Sequence, residues 1–134
     1  MSRIIVAEDN VMIGLAVQAD LMRAGFTVLG PFLRIAPALD AVGADEVRID
    51  LALVDIDLQH GDSGIDLAYG LRERGVPSVF MTGQTEQAKA ARDAALGALG
   101  KPFRSETLVD VVHAALTYAG ADQTPDPITG MTWF

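Results

Sequence analysis

The sequence predicts an α/β fold, a doubly wound parallel sheet with helices on both faces. Short apolar runs alternate with helical patterns five times along the chain. The runs are almost continuously apolar, as expected of strands covered by helices on both sides. A third observation marks a site. Ile4 to Ala7 runs into Glu8-Asp9, Leu51 to Val54 into Asp55, Val79 to Met81 into Thr82, and Gly97 to Gly100 into Lys101-Pro102-Phe103. In a parallel α/β sheet the carboxyl ends of neighbouring strands share one edge, where ligands bind. Three carboxylates, a hydroxyl and an ammonium are therefore expected in one crevice.

The elements follow in order. The first strand is expected near residues 3–7. A helix follows over 10–24, with Asn10 as N-cap and Gly25 as stop. The second strand covers 27–30, and a helix with Pro37 near its start covers 36–46. The third strand is 51–55. Ser63 caps a third helix ending near Gly75, and Pro77 opens the strand at 79–82. An alanine-rich helix covers 85–95, a short strand 97–100, and a last helix capped by Ser105 runs to about residue 119. The residues beyond are Gly-, Pro- and Asp-rich and read as a tail, for which disorder is the default of a short terminal segment. Trp133-Phe134 could instead dock on this or a neighbouring copy.

The chain has 134 residues, half of them hydrophobic, enough for one domain with a buried sheet. Its formal net charge of −8 disfavours nucleic acid as a partner, since that binding relies on Lys and Arg. The absence of cysteine excludes disulfides, zinc thiolates and thiol catalysis. No apolar run approaches the ~20 residues of a membrane span. A strand begins almost at once, leaving no room for a secretory signal, so a cytoplasmic location is expected.

The crevice residues suit a hard cation. Mg²⁺ takes a few carboxylates plus waters, and Asp9 and Asp55 suit it directly, with Glu8 direct or through water. Taken singly, each residue has a plainer role: Glu8-Asp9 can complement a helix dipole, and Asp55, Thr82 and Lys101 can be ordinary loop residues. Together they form an ordered constellation that unrelated loops would not supply. His60 has no second histidine near it in sequence and reads as a solvated loop residue. His113 falls mid-helix.

The acid pair, the strand-end Asp55, Thr82-Gly83 and Lys101-Pro102-Phe103 resemble the receiver domain of two-component response regulators. The resemblance spans roughly residues 2 to 119. Phe80-Met81-Thr82-Gly83, Gly30-Pro31 and Ser63-Gly64-Ile65-Asp66-Leu67-Ala68 are similar to the FAT-GUY class of that family. The resemblance implies a flavodoxin-like, five-stranded parallel sheet of order 2-1-3-4-5, a receiver domain over 1–120 and a flexible tail over 121–134. It implies that Asp55 is the phosphoacceptor and that Asp57 offers its backbone carbonyl to Mg²⁺. Thr82 and Lys101 would stabilise the transferred phosphoryl group, and the Lys101–Pro102 bond would be cis.

The implied function is that of a stand-alone regulator that catalyses its own phosphorylation and dephosphorylation. The implied donor is a histidine kinase, of the HWE type or related. A histidine phosphotransferase or a downstream protein target would be further partners, with neither nucleic acid nor membrane involved. The alternatives are a phosphate sink or relay intermediate, and a pseudo-receiver that binds partners without phosphorylation. Three positions depart from the commoner receiver pattern. Asp57 adds another acid beside the site, whose plain role is solubility and whose functional role would be tuning phosphate lifetime. Gln59 stands where most have proline, and Ala98 stands where many have an aromatic that turns inward on activation. A switch through Thr82, Gly83, Ala98, Lys101 and Pro102 is therefore expected to use backbone motion, with the alanine-rich helix as its mobile part.

Overall fold

Ile4, Ile5, Val6 and Ala7 are fully buried because β1 (Arg3–Ala7) lies inside the sheet. The computed structural model describes residues 2–43, 48–119 and 121–134. Around β1 the chain builds α1 (Val11–Arg23), β2 (Thr27–Phe32), α2 (Ile35–Gly43), β3 (Leu51–Asp55), α3 (Gly64–Glu73), β4 (Ser78–Thr82), α4 (Thr85–Ala90), β5 (Gly97–Gly100), α5 (Ser105–Tyr118) and β6 (Met131–Trp133). The sheet order is β2-β1-β3-β4-β5-β6. The first five strands are parallel, in the expected order.

The sixth strand corrects the expected count of five and gives part of the expected tail a place in the sheet. Residues 131–133 pair antiparallel with β5, in the register Gly97↔Trp133, Ala98↔Thr132 and Leu99↔Met131. The physical reason is two-faced apolarity: Met131 and Trp133 pack on one side of the sheet and Phe134 on the other. A polar reading of Pro125-Asp126-Pro127 hides this short alternating segment.

Local signals set most boundaries. The Asn10 side chain accepts from the Ile13 amide at 3.2 Å, and Gly25 takes the positive φ of +97° that ends α1. Ser63 Oγ accepts from the Ile65 amide at 3.1 Å and starts α3. Three expectations shift. The second strand continues through the cis Gly30–Pro31 bond to Phe32. The alanine-rich helix ends at Ala90 and tightens into a 3₁₀ turn at Arg92–Ala94, because its alanines give little bulk to hold a full helix on the sheet. Arg104, with extended backbone and no capping side-chain bond, precedes α5, so Ser105 is the first helical residue rather than the cap. The expected end of α2 at Glu46 lies outside the described residues.

Each face of the sheet carries its own core. Ile5, Val54, Phe80 and Ala98 pack under α2, α3 and α4, while Ile4, Leu53, Met81 and Leu99 pack under α1 and α5. Polar residues at the carboxyl ends of β1, β3, β4 and β5 therefore stand on rigid, fully covered strands.

Candidate active site

Glu8, Asp9, Asp55 and Lys101 are brought together from both ends of the chain. Carboxylate oxygens of Glu8, Asp9 and Asp55 all lie within 4.8 Å of one another. Lys101 reaches over from the end of β5. Its Nζ donates to Glu8 Oε1 at 2.8 Å, to Glu8 Oε2 at 3.0 Å and to Asp55 Oδ2 at 3.2 Å. Glu8 is fully buried and Asp55 is 8% exposed. The Lys101–Pro102 bond is cis.

The other expected residues surround this cluster. Thr82 is buried at the end of β4, and its Oγ1 accepts from the Gln84 amide at 2.8 Å. That leaves the hydroxyl proton free to be donated elsewhere. Asp57 has an exposed side chain, and its amide donates to Asp55 Oδ1 at 3.2 Å. Gly83 is exposed at the start of the β4–α4 turn, and Ala98 is fully buried opposite Phe80. His60 is exposed at a φ of +58°, outside the cluster.

Two positions carry the site without having been singled out as functional. Gly64 lies directly against β3: a Cβ there would overlap the Asp55 carbonyl oxygen, while its amide donates to the Ile56 carbonyl at 2.6 Å. The missing side chain lets α3 begin close behind Asp55. Asp62 accepts from the Ile35 amide at 3.0 Å and pairs with Arg34 at 3.4 Å. Gln59 N–H donates to the Leu33 carbonyl at 2.9 Å, so the loop after Asp55 is tied to the loop after β2 at two points. Gly64 was visible as part of a motif; Asp62 carried no signal, because its partners are 27 and 28 residues away in sequence.

Electrostatics follow from crowding. Burial pushes the Glu8 carboxyl up to about 8; Asp55 adds to the push and Lys101 opposes it. Burial and then Asp55 raise Asp9. Burial alone would raise Asp55, but a hydrogen bond with Glu8, the Lys101 charge and the Asp57 amide outweigh it, and Asp55 ends below its usual range. Burial would lower Lys101, but Glu8 and Asp55 outweigh it and hold the ammonium charged. At neutral pH the proton thus sits mainly on Glu8, while Asp55 stays anionic beside the Lys101 ammonium.

This distribution has a consequence for stability. Between the ordinary carboxyl value of 4.5 and about 8, the folded chain holds a proton on Glu8 that the unfolded chain releases. Stability must therefore fall as pH rises through that window. Asp55 acts oppositely, and its contribution is lost only as pH falls below the ordinary carboxylate range. Melting in EDTA is expected to give a lower midpoint at pH 8 than at pH 5.5. A midpoint that rises with pH would mean that Glu8 is ionised and fully compensated in the fold.

The donor set fits a hard divalent cation. Three carboxylates offer oxygen only, without nitrogen or sulfur, and their mutual repulsion is what such an ion would relieve.

The family model for the response regulator receiver domain matches residues 4–113, most of the chain and the whole site. The chain belongs to the response regulator receiver family. Solved receivers share its fold. The signal receiver domain of a modulated diguanylate cyclase from Desulfovibrio desulfuricans G20 is 26% identical, with a TM-score of 0.78 over 89% of this chain and 96% of that one. NtrX from Brucella abortus, a longer protein of which 27% is covered, is 27% identical with a TM-score of 0.80 over 88% of this receiver. The chemotaxis protein CheY4 of Vibrio cholerae, at 23% identity and a TM-score of 0.75 over 86% of this chain and 98% of its own, shares the fold. No curated protein matches this receiver. Among its described residues no helix is long and apolar enough to cross a membrane.

Proposed function

We propose that this receiver accepts a phosphoryl group on Asp55 from a histidine kinase and signals through protein contacts. The observation that carries the reading is the contact of Lys101 with Asp55, at 3.2 Å, beside the three clustered carboxylates. An Asp55 oxygen forms the new bond to phosphorus. The P–N bond of the donor phosphohistidine breaks, and its electron pair returns to the imidazole. Charge spreads over the phosphoryl oxygens during transfer, so the protein's task is positioning and neutralisation. Lys101 supplies one fixed positive charge, and the Thr82 hydroxyl can donate to a second oxygen. Mg²⁺, held by Glu8, Asp9, Asp55 and the Asp57 carbonyl, would add the remaining positive charge. Lys101 must turn part of its hydrogen bonding from Glu8 to the incoming group.

A kinase-facing surface is available beside this site. Val11, Met12, Leu15 and Met22 of α1 are 49%, 78%, 48% and 58% exposed, and α1 begins two residues after Asp9. Large apolar side chains grouped on one helix face suit a partner helix. Leu15→Asp is expected to slow phosphotransfer from the kinase by about tenfold or more. Labelling by acetyl phosphate, which needs no docking face, should be unchanged. Equal kinase rates for parent and variant would remove α1 from the interface. A loss with both donors would mean that the substitution disturbs the site itself. Phosphotransfer profiling against the histidine kinases of the source organism tests the function as a whole.

A further inference from the structure

The outer edge of β5 is covered by the chain's own C-terminal end, and the contact is built for one particular strand. The Gly100 amide donates to the Gly130 carbonyl, and the Phe134 amide to the Leu96 carbonyl, each at 2.9 Å. Thr132 pairs with Ala98 between them. Gly97 makes room: a Cβ there would overlap the Thr132 carbonyl and the end of the Met131 side chain. Trp133 meets the Tyr118 ring edge-on at 5.7 Å, and the Tyr118 hydroxyl donates to the Phe134 carbonyl at 2.7 Å. Phe134 packs on the opposite side, against the cluster that contains Ala88, Ala91, Ala94 and Ala98. This short terminal segment thus contributes aromatic bulk both to α5 and to the weak anchorage of the alanine-rich α4.

The same strand is weakly retained. It has three residues, and none from 131 to 134 is fully buried. The Trp133 indole N–H is buried with no acceptor among the described residues, which costs stability in the docked state. Most of residues 121–130 are exposed, contain Pro125 and Pro127, and form no regular element. An uncovered β5 would present unpaired backbone groups, which invite another strand.

We propose that the β5 edge is a strand-binding site, and that the partner it fits is residues 128–134 of a second copy, exchanged for the chain's own β6. The complementarity is already on display, since every contact made within one chain can be remade between two. Such exchange replaces like with like at little cost. The site is separate from the acidic cluster and does not depend on phosphoryl chemistry there.

Tryptophan fluorescence tests this directly, because Trp133 is the single tryptophan. The full-length Trp133→Phe chain is silent, so a synthetic peptide of residues 128–134 carries the only signal. Its emission is expected to shift to the blue and saturate on adding the silent chain. A peptide with proline in the Thr132 place should show no shift, since it lacks the central N–H. Thr132→Pro introduced into the silent chain vacates the edge, so the parent peptide should bind it at least about tenfold more tightly. Emission that stays water-like with the silent chain overturns the proposal. So does equal binding of the two peptides, which would place the peptide elsewhere. If Thr132→Pro fails to fold, the two peptides on the silent chain still decide. Concentration-dependent dimers of the parent chain with unshifted, blue Trp133 emission are expected at high protein concentration, and a chain that stays strictly monomeric throughout rules out the second copy as occupant.

Discussion

Asp55→Asn is expected to lower phosphoryl incorporation by about 10³-fold or more, whether the donor is a histidine kinase or acetyl phosphate. Asparagine keeps the shape of the side chain and can still accept from the Asp57 amide, which lies 3.2 Å from Asp55 Oδ1. It cannot attack phosphorus as an anion. The fold should survive, because Asp55 lies at the end of a strand whose other members are apolar and fully buried. EDTA added to the parent protein should produce a loss of similar size, since the clustered carboxylates need a cation before a phosphoryl dianion can approach. Radiolabel incorporation with the two donors, with and without EDTA, measures both. Substantial labelling of Asp55→Asn would move the acceptor to another residue.

Lys101→Ala is expected to cost about 10²- to 10³-fold in phosphotransfer, the usual effect of deleting one fixed donor to a developing charge. Its effect on stability should be smaller than its contacts suggest. Removing one partner of a buried ion pair usually costs about 3–5 kcal/mol, because a charge is left unpaired. Here Glu8 has an escape. Burial already pushes it up to about 8, and loss of the ammonium pushes it further, so at neutral pH it takes a proton instead. The destabilisation by Lys101→Ala should therefore come at pH 6 from the lost pair with Asp55 alone, and grow above pH 8, as the parent's Glu8 ionises beside Lys101 and the variant's does not. Melting curves of the two proteins across that range check the sign. A loss that stays constant from pH 6 to above pH 8 would mean that Glu8 is already an anion in the metal-free fold.

Five strands and the four-residue cluster were legible in the sequence because they rest on local signals; the strand order came only with the resemblance to receivers. Continuous apolar runs mark the strands, Asn10 and Ser63 cap their helices, and each functional side chain directly follows its run. What was not legible depends on distant partners. Asp62 acts on the amide of Ile35 across a gap of 27 residues. The six-stranded sheet needed the edge of β5 to be known before Met131, Thr132 and Trp133 could be seen as a strand. Alanines predicted a long fourth helix by propensity, but tertiary anchorage decided its length. Ala98 was noted for the aromatic it lacks. The structure puts Phe134 against the same cluster as Ala98, so bulk absent from β5 is supplied by the residue that follows β6.

The central claim is that Asp55 is the residue that carries the phosphoryl group. Borohydride reduction of the phosphorylated protein, followed by peptide mapping, tests it most directly, because reduction converts an aspartyl phosphate into homoserine. The account predicts homoserine at position 55 alone, present only when donor and Mg²⁺ are both supplied. Homoserine at Asp9 or Asp57, or an unmodified residue 55 in protein that carries label, would contradict it.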